Sequence, residues 1–157
     1  MKKILFVLFV LLLVGCSKQT NNLPNPMISR ESLEEVNKIT NGNITKPGVM
    51  GITQEGFYTI ETNEGIIGEY DFVLNDIGYT IRFSDTIVKD DISGVYIDGK
   101  LAFSDDLSVT RAKGSDLKLA RWFNTDGQYV FIAPDTISDE LFESVFEEVS
   151  TLTNIKN

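Results

Sequence analysis

Chemistry in this chain must be done without histidine, which is absent, and with one cysteine, Cys16, among 157 residues. That composition removes His-dependent nucleophilic triads, Cys/His zinc sites and any internal disulfide. The nearest catalytic spacing is Ser115-Asp116-Leu117-Lys118, the S-x-x-K pattern in which a serine opens a helix beside its lysine. Here the four residues start a strand, which sets Ser115 and Lys118 on opposite faces, and no K-T-G or S-D-N partner exists. A plain turn is the expected reading.

Asp85, Asp90-Asp91, Asp98 and Asp105-Asp106 cluster along the chain and have the oxygen chemistry of calcium ligands. They lack an EF-hand loop pattern, and Asp98 already has a turn role, so a solvated acidic edge is expected and no metal site. A carboxylate pair for glycoside hydrolysis is defined by a distance in space, not by spacing in sequence. No pair stands out, and a cell-envelope hydrolase using paired carboxylates stays as the alternative to a binding module. Trp122, Tyr129 and Phe131 form the candidate binding surface, with core packing as the competing explanation. No catalytic residue and no cofactor is expected.

Cys16 has a more specific setting. Lys2 and Lys3 precede an unbroken apolar run from Ile4 to Val14, and Leu13-Val14-Gly15-Cys16 follows the pattern of a bacterial lipobox. Residues 1–15 therefore read as a lipoprotein signal peptide that is removed. The apolar run of 11 residues spans about 16 Å as a helix, roughly half a bilayer's hydrocarbon thickness, which is short for a permanent span. Cys16 would become the lipidated N-terminus, with diacylglycerol on its thiol. More than one acyl chain gives the lasting membrane attachment that a single chain does not.

The chain carries 14 Lys and Arg against 23 Asp and Glu, a net charge of −9. Removing residues 1–15 takes away Lys2 and Lys3 and no acid, which leaves −11. So acidic a chain is a poor partner for nucleic acid or an anionic membrane surface, and lipid rather than charge would hold it at the membrane. Richness in Ile, Asn and Lys suggests an AT-rich genome and an outward-facing position on a Gram-positive cell membrane. The Asn43-Ile44-Thr45 sequon is set aside, because a bacterial lipoprotein does not meet that glycosylation machinery.

Residues 16–25 are polar, contain Pro24, and read as a flexible tether. A single α+β domain is expected over residues 26–157. Ser32-Leu33-Glu34-Glu35 fits a capping box, and Asn41-Gly42 supplies the stop of a short helix. Residues 45–55 hold Pro47, Gly48 and Gly51 and read as a loop before a strand at 56–62. Alternation over 66–83 predicts a hairpin turning at Asn75-Asp76, with Leu74 opposite Ile77, Phe72 opposite Tyr79, Tyr70 opposite Ile81 and Glu69 opposite Arg82.

Asp98-Gly99 predicts a second hairpin, joining 94–97 to 100–103, and a further strand covers 107–113. Asp126-Gly127 predicts a third hairpin, joining 117–125 to 128–133, with Trp122 opposite Phe131 and Phe123 opposite Val130. Both faces of that third hairpin are apolar, so either both are covered or one is a binding surface. Ser138 caps a last helix with Ile137 stapling onto Phe142, and Leu141, Phe142, Val145, Phe146, Val149 and Leu152 form its core stripe. The layout is an antiparallel meandering sheet of about seven strands between a short N-terminal helix and an amphipathic C-terminal helix packed on the sheet.

Three stretches in order, Asn25-Pro26 with SLEEVNKIT at 32–40, DDISGVY at 90–96 and VTRAKGSDLKLARWFNTDGQYVFIA at 109–133, followed by the capped terminal helix, carry a family likeness. They resemble an uncharacterised extracytoplasmic domain of clostridial-type bacteria, found in lipoproteins and in the outer parts of single-pass proteins that look like anti-sigma factors. RWFNTDGQY departs from the Trp-Thr-containing strand end of that family. The resemblance implies an extracytoplasmic location and a sensing or binding role for an envelope protein or a small ligand, and transfers no catalytic residue.

Overall fold

The computed structural model of the protein describes residues 26–87, 90–97, 100–103, 111–113 and 116–154. The signal segment, Cys16 and the tether to residue 25 lie outside the described residues. So do Asp98-Gly99, Asp105-Asp106, Ser115 and residues 107–110 of the predicted 107–113 strand.

Nine strands and two helices follow the order β1 (Met27–Ser29), α1 (Leu33–Thr40), β2 (Ile52–Glu61), β3 (Ile66–Leu74), β4 (Ile77–Ser84), β5 (Tyr96–Ile97), β6 (Lys100–Leu101), β7 (Arg111–Lys113), β8 (Leu117–Phe123), β9 (Gln128–Pro134) and α2 (Asp139–Asn154). Seven of the strands form one sheet in the order β1-β2-β3-β4-β9-β8-β7, antiparallel throughout. The fold is therefore α+β, with the meander broken once. After β4 the chain crosses to the far edge at β7 and returns through β8, so that β9 comes to lie beside β4. The pair β5-β6 is a separate two-stranded ribbon on that crossover.

The β3-β4 hairpin has the predicted register at all four pairs. Asn75 and Asp76 both sit at positive φ, 53° and 62°, the two-residue geometry whose twist matches the flanking strands. The third hairpin differs. Trp122 faces Tyr129 and Phe123 faces Gln128, two residues away from the expected pairing. The cause is Asn124, whose Oδ1 accepts from the N–H groups of Asp126 (2.7 Å) and Gly127 (3.1 Å). This side-chain turn makes a four-residue loop of Asn124–Gly127 in place of a two-residue one. A slip of two leaves each side chain on its expected face.

Strand β2 also begins earlier than expected, at Ile52 rather than Gly56, with a bulge between Ile52 and Gln54. Ile52 packs at the core margin, and the Tyr70 hydroxyl donates to Glu55 Oε1 across the strands (2.6 Å). Both contacts hold the stretch against β3.

The helices cover one face. The Glu35 N–H donates to Ser32 Oγ (3.2 Å), while the Glu35 carboxylate accepts from the Glu31 N–H (3.0 Å), one residue before the position a strict capping box uses. Asn41, in the left-handed region, closes α1. Val36 is fully buried and sits against Gly68 of β3, where an added Cβ would come within 2.8 Å of Val36 Cγ1. At α2 the Leu141 N–H donates to Ser138 Oγ (3.2 Å). Phe142, Val145, Phe146 and Val149 are buried as expected, but Leu141 is exposed and Leu152 only half-buried. Beneath the helices a ladder of stacked rings runs Phe57, Tyr70, Phe72, Tyr79, Phe131 with centroids 5.2–5.7 Å apart.

The opposite face is covered in part by the crossover. Ile87, Ile92 and Phe103 bury against Ile67, Leu119, Val130 and Ile132. Buried polar side chains fasten this segment. Gln128 Nε2 donates to the carbonyls of Ile87 and Asp90 (both 2.9 Å), and Arg82 Nη1 donates to those of Ile92 and Ser93. The Asp91 carboxylate accepts from the Ser93 N–H (2.7 Å) and the Phe103 N–H (3.0 Å).

Candidate functional site

The aromatic trio of Trp122, Tyr129 and Phe131 is not a surface. Their exposures are 9%, 0% and 0%, because β8 and β9 lie in the sheet's interior with α2 across them. Trp122 stacks on Tyr129 at 5.1 Å and meets Phe146 edge-on at 5.3 Å, and Phe131 packs on Phe142 at 5.3 Å. Burial raises the Tyr129 phenol above its ordinary pKa. Their apolar character is explained by core packing, and a ligand cannot reach them.

Of the acidic residues, Asp85, Asp90 and Asp91 are described, and the bonds of Asp85 and Asp91 are made within the fold. Asp91 is the clasp of the crossover, and the Asp85 carboxylate accepts from Asn41 Nδ2 (3.1 Å). Among the described residues there is no cluster of potential metal ligands. Lys118 Nζ donates to the Ile137 carbonyl and to Asp139 Oδ1 (both 2.6 Å), tying β8 to the start of α2. That pairing, a hydrogen bond before a Coulomb attraction, lowers the pKa of the Asp139 carboxyl.

Among the described residues nothing covers this part of the second face of β2, β3 and β4, and a cleft of about 360 Å³ lies there. Gln54, Gly56 and Tyr58 of β2, Asp71 and Val73 of β3, and Gly78 and Thr80 of β4 line it. The period-2 alternation places these side chains together, since Phe72 and Tyr79 between them point to the buried helix face. Asp71 lies between Gly56 and Thr80 in neighbouring strands, and Val73 is beside Gly78. Two glycines shape it. At Gly56 an added Cβ would lie 2.7–3.1 Å from the ring and hydroxyl of Tyr58, so the edge of the phenol takes the space a side chain there would need. At Gly78 an added Cβ would meet nothing within 4 Å.

The polar groups of the cleft divide into those the fold uses and those it does not. The Thr80 hydroxyl donates to Asp71 Oδ1 (2.6 Å) and sets that carboxylate's orientation. One step along β3, Glu69 is 2% exposed and accepts from Arg82 Nε (2.6 Å). Desolvation raises its pKa, and Arg82 opposes the rise. Glu55 reaches the cleft rim from the other face, where Lys46 (2.7 Å) and the Tyr70 hydroxyl hold it. The Lys46 hydrogen bond, then that of Tyr70, lowers its pKa, whereas burial and Glu55 raise that of Tyr70. Asp71 is thus the carboxylate turned toward the cleft. Sequence reading missed it, and the signal that marks it is the isolated glycine inside each of two strand patterns.

The chain matches no protein-family profile, and neither the curated proteins nor the solved structures contain a match to it.

Proposed function

We propose that this chain is a lipid-anchored extracytoplasmic binding module, attached through Cys16 to the outer side of the cell membrane, and that the cleft over Gly56 and Gly78 is where it takes its ligand. The lipobox residues support the anchor. The observation that carries the binding site is a half-open sheet face on which Tyr58, Asp71 and Gln54 are assembled without being consumed by core packing. A volume of about 360 Å³ falls at the lower end of the ~300–1,000 Å³ typical of small-ligand sites, and a few convergent polar groups on a rigid sheet are what such sites use. The ligand is then a small molecule or a single projecting group of an envelope protein.

The test uses the full-length protein purified from host membranes. Cys16→Ser is expected to release the chain from the membrane and abolish incorporation of a labelled fatty acid. Gly78→Phe, which fills open space, is expected to leave thermal unfolding unchanged while removing whatever species co-purifies with the wild type by mass spectrometry. Identical captured species in wild type and Gly78→Phe would overturn the assignment of the cleft.

A further inference from the structure

We propose that the cleft is selective for an organic ammonium group, the primary amine of a polyamine or of a lysyl side chain, paired with the Asp71 carboxylate and set against the Tyr58 ring. This rests on the cleft being the binding site and assigns it a ligand chemistry.

Charge is the first argument. Among the described residues no Lys or Arg lines the cleft; its acids are Asp71 and Glu55, and Glu55 is paired with Lys46 at the rim. Arg82, on the same face of β4, is turned away, with Nε on Glu69 and Nη1 on the carbonyls of Ile92 and Ser93. A chain of net charge −9 adds a field that attracts cations and repels anions. A phosphate or carboxylate ligand would meet the Asp71 carboxylate with no cationic side chain among the described lining residues to offset it.

Geometry is the second. Thr80 engages Asp71 Oδ1 and so fixes the carboxylate while Oδ2 is left to a ligand. Asp71 is half-buried, where an ammonium–carboxylate hydrogen bond is less screened than on open surface and stronger than a neutral one. The Tyr58 phenol meets Gly56 by its edge, through Cε2, Cζ and the hydroxyl, one strand over from Asp71. Its ring face is the negative face of an aromatic quadrupole, to which a cation within about 6 Å is drawn. Open space above Gly78 admits the alkyl chain behind the amine, beside the apolar Val73. A neutral sugar could donate a hydroxyl to the carboxylate and use the ring and the Gln54 amide, but it would lack the charge pairing that an ammonium group makes with Asp71.

The experiment is calorimetric titration of the full-length protein with cadaverine and with Nα-acetyl-lysine amide, and with Nα,Nε-diacetyl-lysine amide and a neutral disaccharide as uncharged probes. Both amines are expected to bind, the uncharged probes not to bind, and affinity to fall as salt rises. Asp71→Asn is expected to weaken the amines by about tenfold or more, the effect of losing a charged hydrogen bond, and Gly78→Phe to abolish binding. Tyr58→Phe, which keeps the ring, should bind within about twofold of wild type, and Tyr58→Ala should bind several-fold more weakly. Preference for cadaverine points to a free polyamine, and preference for the lysine derivative to a side chain on a partner. Uncharged probes binding as well as amines, or Asp71→Asn without effect, would overturn the ammonium assignment and leave the cleft as a site. Failure of all probes, with captured species still dependent on Gly78, overturns only the ammonium assignment. The same failure with captured species indifferent to Gly78→Phe overturns both.

Discussion

Gly68→Ala tests how α1 is seated. Gly68 lies within β3, paired to Thr59 on one side and Phe83 on the other, with α1 directly above. A methyl group there would stand 2.8 Å from Val36 Cγ1, 3.2 Å from Thr40 Cγ2 and 3.3 Å from Thr40 Oγ1. Carbon atoms pack comfortably at about 3.5–4.0 Å, so the Val36 contact is too short by roughly 1 Å, and Val36 is 0% exposed with nowhere to retreat. Overpacking of this kind costs about 1–3 kcal/mol, offset by roughly 0.4–1 kcal/mol from stiffening the unfolded chain. The net expectation is a loss of about 1–2 kcal/mol.

Val36→Ala alone loses two buried carbons and leaves a hole, a cost of about 2–3 kcal/mol. In the double variant the new methyl enters that hole, and the cost is expected to stay near that of Val36→Ala instead of the ~3–5 kcal/mol sum. Urea unfolding followed through Trp122, the chain's single tryptophan and 9% exposed, reads all four proteins. At a slope of about 1–3 kcal/mol per molar urea, Gly68→Ala shifts the midpoint by roughly 0.5–1.5 M. Costs that add to within about 0.5 kcal/mol, as independent sites do, would refute the close seating of the helix on Gly68.

Two further outcomes follow from single residues. Because desolvation holds Glu69 above its ordinary pKa despite Arg82, the folded state binds the proton more tightly than the unfolded chain. Stability is therefore fullest below the ordinary glutamate range and falls as pH rises through the elevated value; Glu69→Gln should flatten that part of a thermal-unfolding pH profile, and an unchanged slope would assign it to another group. Asp76 holds φ 62°, where an L side chain is disfavoured and glycine is not, so Asp76→Gly should stabilise the protein by about 0.5–1 kcal/mol. A lower urea midpoint would contradict the turn geometry.

What could be read from sequence was what strong local signals determine. The β3-β4 hairpin combines uninterrupted alternation with two turn residues able to take positive φ, and each of its pairs is where the pattern put it. The third hairpin carried an equally clear Asp-Gly signal, but the Asn124 side chain captured the turn two residues earlier, a competition that spacing alone does not decide. Its two apolar faces were legible, and their cover was not. Ile87, Ile92 and Phe103 are scattered over a crossover without a hydrophobic period, and what holds them down is Gln128, Arg82 and Asp91 reaching backbone groups far away in sequence. The cleft left no motif, because it is made of side chains missing from the two strands that flank β3, at Gly56 and Gly78.

Polar residues left open where a cover ends would by themselves be ordinary, since Gln54, Asp71 and Thr80 need no burial. The glycines are the feature that solvation does not explain. Glycine weakens a strand, and it is usually retained where another group must come close. Gly68 meets that condition through Val36, and Gly56 through the Tyr58 ring. Gly78 does not: it stands in β4 beside Val73, outside the left-handed region, with nothing within 4 Å for a Cβ to strike. Any residue would fit there and most would stabilise the strand. A local rule broken with no gain inside the fold points outside it, and what glycine at 78 preserves is the space that the Asp71 carboxylate faces.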